Sequence, residues 1–152
     1  MRTLNFQEGL REAIERIENM NSAPKLVAVY GWPHSGKSHF ISGVGDHFKA
    51  KRIEVSKGAS APRPSVFEMI KRRQGLLDDF LYLFHCEWDK TSWKSLVNED
   101  PNDMAEEMLG RNMNLNIGIY NPNIPTLNVI GKYDMRISNP ASRIKEPLPV
   151  FN

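Results

Sequence analysis

This sequence has few cysteines, a small net charge and no long hydrophobic segments. Each of these features excludes a class of protein. The chain has 152 residues and one cysteine, so it has no internal disulfide framework and suits a reducing compartment. The net charge is only +2, which gives no reason to expect nucleic acid or an anionic membrane as a partner. No stretch approaches the roughly 18 apolar residues of a membrane span, and the first residues lack the apolar run of a signal peptide. We therefore expect a cytoplasmic protein with no membrane partner.

Hydrophobic residues are present in ordinary amount. They make up 40% of the chain, which at this length is enough for one sizeable core. We predict a single domain over residues 1–152, in which residues 1–24 form an N-terminal helix and linker and residues 140–152 form an irregular tail.

Segments of helical periodicity alternate with short apolar runs along the chain. The first helix is predicted because Leu10, Ile14 and Ile17 share one face, and because Asn5 and Glu8 are spaced as a capping box. This alternation predicts an α/β fold with a mainly parallel sheet. The predicted helices cover residues 6–19, 36–48, 65–73, 92–97 and 101–109. The predicted strands cover residues 25–30, 52–55, 80–86, 115–119, 127–130 and 133–138.

Two of the predicted strands differ in the exposure that their patterns indicate. The run at residues 25–30 has no polar alternation, which is typical of a central strand covered on both faces. In the later strand Leu115, Ile117 and Ile119 alternate with polar residues or glycine, which predicts a half-exposed strand.

The most informative motif stands between the first predicted strand and the second predicted helix. It reads Gly31-Trp32-Pro33-His34-Ser35-Gly36-Lys37-Ser38. This satisfies G-x-x-x-x-G-K-[ST], the phosphate-loop pattern, in the strand–loop–helix context that the pattern requires. Backbone N–H groups and the positive dipole end at a helix N-terminus attract phosphate, and the two glycines allow close approach of the backbone. Lys37 can reach the β and γ phosphates, and Ser38 can offer its hydroxyl to Mg²⁺. All eight residues are therefore predicted to bind a nucleoside triphosphate.

These residues resemble a P-loop NTPase, most closely the small-molecule kinase branch that includes uridine-kinase-like and guanylate-kinase-like proteins. The N-terminal helix that leads through Pro24 into L-V-A-V-Y-G resembles the beginning of uridine-kinase-like proteins, and G-x-P-x-S-G-K-S resembles their phosphate loop. Residues 133–140 resemble their last core strand, which ends near the nucleotide base. The resemblance implies a three-layer α/β/α sandwich with about five strands, and it assigns Asn139 to nucleotide binding.

The resemblance also implies an acidic residue at the end of the strand beside the phosphate-loop strand. Glu87 and Asp89 follow the apolar run at residues 80–86, and both are candidate Mg²⁺ ligands. Asp89 is the better candidate and, with Lys37, a predicted catalytic residue that holds Mg²⁺ through water or activates the acceptor, although two exposed acids at a strand end would look the same. An arginine is also expected to stabilise charge on the transferred phosphoryl group. Arg111, just after the predicted helix exit at Gly110, is the arginine we select, and Arg72, Arg73 and Arg143 are the alternatives.

The chain also departs from the kinase pattern. No arginine-rich lid is evident, and the second predicted strand leads to Lys57 and Gly58 where nucleoside kinases have an acidic residue near the acceptor. The leading hypothesis is an enzyme that binds ATP (or GTP) with Mg²⁺ and transfers the γ-phosphoryl to a small-molecule acceptor. An NTP hydrolase or NTP-dependent switch, and a nucleotide-binding module without turnover, are the alternatives.

Overall fold

The computed structural model describes residues 3–31, 35–49, 52–57, 79–87, 112–120 and 133–140. These stretches form two helices and six strands. In chain order they are β1 (Thr3–Asn5), α1 (Phe6–Glu18), β2 (Lys25–Gly31), α2 (Lys37–His47), β3 (Arg52–Lys57), β4 (Leu81–Glu87), β5 (Leu115–Tyr120) and β6 (Met135–Ser138). Neither described helix is long and apolar enough to cross a lipid bilayer.

The six strands form one sheet in the order β1-β6-β5-β2-β4-β3, and every neighbouring pair is parallel. This confirms the predicted α/β class with a parallel sheet. The strand that the sequence did not predict is β1, a three-residue segment in which Leu4 pairs with Ile137 of β6. A strand this short shows too little alternation to be recognised. The strand predicted at residues 127–130 lies outside the described residues.

Helices α1 and α2 lie on the same face of the sheet. Their buried side chains, such as Ile17 and Phe40, belong to one core cluster with alternate residues of the strands, such as Val27 and Val29. The intervening strand residues are buried too; Leu26 and Tyr30 are each only 1% exposed. The helices predicted over residues 65–73, 92–97 and 101–109, which would supply a third layer, lie outside the described residues.

Helix α1 approaches the sheet more closely than its sequence pattern indicates. Its buried residues are Gly9, Ala13 and Ile17, whereas Ile14 of the predicted face is only half-buried. A Cβ on Gly9 would lie 2.5 Å from Cδ1 of Ile137. The glycine therefore lets the helix lie directly on β6, which rotates its buried face from the predicted one.

The predicted half-exposure of β5 is wrong. Its residues Leu115–Ile119 are all buried, and Asn116 is only 2% exposed. The strand lies between β2 and β6 in the sheet, and the residues that point to either of its faces are buried. The backbone N–H of Asn116 donates to Asp134 Oδ2 at 2.7 Å, and the ring of Tyr133 lies against Gly118. Polar and small residues in this strand therefore serve packing between strands rather than contact with water.

Candidate phosphate-binding site

The strand order of the sheet indicates where a ligand would bind. After β2 the chain continues to β3 on one side of the sheet, whereas after β5 it continues to β6 on the other side, although β2 and β5 are neighbours. In open parallel sheets, ligands bind outside the carboxyl ends of two such strands, where the connections lead in opposite directions. The motif residues follow β2 at this point.

The carboxyl ends of four strands meet at the same edge of the sheet. Gly31, the last residue of β2, is in register with Glu87, the last residue of β4. On the other side Tyr30 of β2 is in register with Gly118 of β5, and Tyr120 of β5 is in register with Ser138 of β6. Residues from distant parts of the sequence are thereby brought beside the motif.

Gly31 is surrounded so closely that no larger residue fits. A Cβ at this position would lie 2.6 Å from the Ser35 hydroxyl oxygen and 2.7 Å from the Ile119 carbonyl oxygen. The carbonyl belongs to the neighbouring strand and cannot move without disturbing the sheet. Glycine is therefore required at the first position of the motif because a side chain would not fit. It is not required for a left-handed backbone, since Gly31 has no positive φ.

Lys37 is the first residue of α2, and it is only 2% exposed. Its Nζ donates to the Ser35 hydroxyl at 3.4 Å, and its Cδ lies 3.4 Å from where a Cβ on Gly31 would be. The side chain therefore runs back across the end of β2. Lysine is almost never buried to this extent unless it is paired, and a cation at a helix N-terminus opposes the helix dipole. Both features favour an anionic partner at this position.

Gly36 is the N-cap of α2 and has a left-handed backbone, with φ 98° and ψ 11°. Its carbonyl accepts the first helical hydrogen bond, from Phe40 N at 2.9 Å. Glycine has no side chain to cap the following N–H groups, and the first turn of α2 contains no acidic residue. Among the described residues, the N-cap and first turn of α2 therefore supply none of the side-chain acceptors that commonly cover helix starts.

Asn139 reaches the motif from the end of β6. Its side-chain Nδ2 donates to the Ser35 carbonyl at 2.9 Å, and its backbone N–H donates to the Tyr120 carbonyl at 2.7 Å. The same Nδ2 lies 2.6 Å from where a Cβ on Gly36 would be. Phe6, at the start of α1, lies on the same side of Gly36 and packs against the ring of Phe40.

Six of the predicted site residues are described, and the structure brings them together at this edge of the sheet. They are Gly31, Ser35, Gly36, Lys37, Ser38 and Asn139. Ser38 is exposed on the first turn of α2. The backbone of Glu87 is beside Gly31, but its side chain lies outside the described part of the chain, as do Trp32, Pro33, His34, Asp89 and Arg111.

The predicted magnesium ligands are Ser38 with Glu87 or Asp89. Across the described residues, no three His, Cys, Asp or Glu side chains form a group that could hold a metal ion. A Mg²⁺ ion bound to a nucleotide needs only one or two protein oxygens beside phosphate and water. The exposed hydroxyl of Ser38, together with a carboxylate at the end of β4, is a donor set of the kind that Mg²⁺ prefers.

The role of Phe6 beside the motif was not predicted. Phe6 and Gly36 are distant in sequence and meet because β1 pairs with β6. No local pattern carries that information.

No protein-family model matches this chain, and searches of curated proteins and of solved structures also give no match.

Proposed function

We propose that this chain is a nucleotide-binding protein of the P-loop type, with residues 31–38 as its phosphate loop. It binds ATP (or GTP) with Mg²⁺ and transfers the γ-phosphoryl to a small-molecule acceptor. The observation that carries the proposal is the buried Lys37 at the N-terminus of α2, which none of the described side chains caps, beside the left-handed Gly36. A lysine ammonium and a helix N-terminus both attract anions, and both lie at the crevice beyond β2 and β5.

The chemistry of phosphoryl transfer fits these groups. The reaction requires positioning and charge neutralisation more than covalent catalysis. Backbone N–H groups of the loop and the ammonium of Lys37 would neutralise the phosphate oxygens. Ser38 and an acid at the end of β4, Asp89 or Glu87, would hold Mg²⁺, which supplies further charge neutralisation when bound. Arg111 is the proposed source of an additional positive charge.

The position of β4 supports this assignment of the metal ligands. Because β4 is the direct neighbour of β2, Glu87 lies in register with Gly31. A carboxylate at or directly after the last residue of β4 would then be close to the phosphate loop. The three-layer fold expected for such proteins is part of the same proposal.

A second candidate function is nucleotide binding without transfer to an acceptor, either as a hydrolase or switch or as an inert module. The observation that favours it is the end of β3. This strand finishes at Lys57, where the resemblance to nucleoside kinases implies an acidic residue near the acceptor. A protein without that acid can still bind the nucleotide through residues 31–38.

Binding of Mg·ATP and Mg·GTP, measured by calorimetry, tests the proposal. Lys37→Met keeps the apolar length of the side chain and removes its charge, and we expect about a 10- to 100-fold weaker affinity because a charged hydrogen bond is lost. The matched control is Lys25→Met. Lys25 stands at the other end of β2, where its Nζ donates to the Ile17 carbonyl at 2.8 Å, so its loss leaves the affinity unchanged.

The products distinguish the candidate activities. Release of ADP or GDP only when a nucleoside or nucleotide acceptor is added indicates a kinase, and release without acceptor indicates a hydrolase. Tight binding with no release indicates the inert module. Absence of binding by the folded wild-type protein, or equal affinity in Lys37→Met, would refute the phosphate-loop assignment.

A further inference from the structure

The side chain of Asn139 makes a contact with the motif that its predicted role does not require. It donates to the backbone carbonyl of Ser35, a residue 104 positions away in sequence. We propose that Asn139 is a positioning residue that fixes the shape of the phosphate loop, rather than a residue that contacts the nucleotide base. This inference rests on the proposed function of residues 31–38.

The geometry of one peptide bond explains how this contact acts on the ligand site. The carbonyl of Ser35 and the N–H of Gly36 belong to the same planar, trans peptide unit, so they point in opposite directions. By holding the Ser35 carbonyl on the β6 side, Asn139 turns the Gly36 N–H away from β6. That N–H is one of the loop donors expected to bind phosphate.

Asn139 is itself held in place. Its backbone N–H donates to the Tyr120 carbonyl at 2.7 Å, which extends the pairing of β6 with β5 by one residue. The amide is therefore carried by the sheet and not by a separate loop. A hydrogen bond from a residue whose backbone is fixed in this way restricts the Ser35 peptide more than a bond from an unpaired loop residue would.

Ser35 and Gly36 are shaped to receive this amide. Ser35 is fully buried, and its hydroxyl accepts from Lys37 Nζ while its carbonyl accepts from Asn139. The absent Cβ of Gly36 leaves room for Nδ2, which would be only 2.6 Å from it. The left-handed turn, the buried lysine and Asn139 thus form one connected arrangement centred on the Ser35 peptide.

Loss of the amide lowers the fraction of molecules whose loop has the binding conformation. The apparent affinity falls in proportion to the decrease in that fraction. We expect Asn139→Ala to weaken binding about three- to tenfold, as for removal of one neutral hydrogen bond. The effect is the same for every ligand that uses the loop. Contact with the base would instead be visible only with ligands that contain a base.

The experiment compares Mg·ATP, Mg·GTP and magnesium tripolyphosphate, which has neither base nor ribose, by calorimetry with wild type, Asn139→Ala and Asn139→Leu. Leucine keeps the branched shape of the side chain without the N–H donor. It replaces the alanine variant if circular dichroism shows that Asn139→Ala is unfolded. The matched control is Asn114→Ala. Asn114 Oδ1 accepts from Leu26 N at 2.8 Å, a comparable bond at the opposite end of β2.

Hydrogen exchange of the peptide that covers residues 35–40, measured without nucleotide, supplies a second readout. We expect faster exchange in both Asn139 variants and not in Asn114→Ala, together with an equal loss of affinity for all three ligands. Unchanged exchange, unchanged affinities, or weaker binding of the nucleotides with unchanged binding of tripolyphosphate would each overturn the inference. If the wild type binds none of the ligands, the proposed function fails, whatever the exchange shows about the hold on Ser35.

Discussion

Helices α1 and α2 pack on the same face of the sheet, yet their N-termini are constructed in opposite ways. At the start of α1, Asn5 Oδ1 accepts from Glu8 N at 2.8 Å and Glu8 Oε1 accepts from Asn5 N at 3.2 Å. At the start of α2, the N-cap is Gly36 and the next residue is Lys37. One helix start is completed by its own side chains, and the other has a glycine and a cation there.

The two helix starts differ because one stabilises the fold and the other is proposed to bind a ligand. A capping side chain stabilises a helix by about 1 kcal/mol, and an acid in the first turn adds a favourable interaction with the dipole. This chain uses both devices in α1 and neither in α2. The start of α2 therefore lacks stabilisation that the same sequence provides elsewhere, at the place where phosphate is proposed to bind.

The largest effect is expected from Gly36→Ala. A left-handed conformation costs about 1–2 kcal/mol for a residue with a Cβ, and this Cβ would also displace the amide of Asn139, 2.6 Å away. We expect the free energy of unfolding, from urea titration, to fall by about 1–3 kcal/mol. Calorimetry should detect no binding of Mg·ATP.

The matched control for that variant is Gly43→Ala, in the interior of the same helix. Its Cβ would lie 3.1 Å from the side chain of Leu10, which is half-buried and can adjust. Alanine raises helix propensity by about 1 kcal/mol, so stability stays close to that of the wild type and the affinity is unchanged. Wild-type affinity in Gly36→Ala would show that the left-handed turn is not part of the binding site.

An intermediate effect is expected from Asn5→Ala, which removes the cap of α1. The free energy of unfolding should fall by about 1 kcal/mol, measured by urea titration, while the affinity for Mg·ATP stays the same. Because Phe6 lies beside Gly36, this variant also tests whether the two helix starts are independent. A loss of affinity comparable to that in Asn139→Ala would show that they are coupled, and the comparison between them would fail.

Local features of the sequence predicted the local features of this fold. The capping box of Asn5 and Glu8 is confirmed, and the strand and helix on either side of residues 32–36 are found where their apolar patterns indicated. Each of these depends on residues within a few positions of one another. The phosphate-loop motif is a pattern of the same kind, which is why it could be recognised within eight residues; its function stays a prediction.

Contacts between distant residues could not be predicted in this way. Gly9 lies against Ile137 because β1 pairs with β6, and Asn139 reaches Ser35 because β6 ends beside β5, which is the neighbour of β2. The exposure of β5 was predicted wrongly for the same reason. The alternation of polar and apolar residues within one strand does not show which other elements pack on it. The resemblance placed Asn139 near the nucleotide, but only the sheet order places its amide on the loop backbone.

The smallest effect on stability is expected from Ser38→Asp, and its direction is the most informative. Ser38 is exposed in the first turn of α2, so a carboxylate there stabilises the nucleotide-free protein through the helix dipole by about 0.3–1 kcal/mol. The same carboxylate repels phosphate and replaces the hydroxyl proposed to hold Mg²⁺, so the affinity for Mg·ATP should fall. Thermal unfolding without ligand and calorimetry with ligand measure the two effects.

Ser42→Asp is the control for this variant, because Ser42 is exposed one turn further along the same helix. The dipole effect falls off beyond the first turn, so neither stability nor affinity should change appreciably. If Ser38→Asp raises the stability and lowers the affinity, and Ser42→Asp does neither, then a carboxylate and the ligand compete for the N-terminus of α2. A variant that loses stability and keeps its affinity would instead mean that the N-terminus of α2 is not where the anion binds.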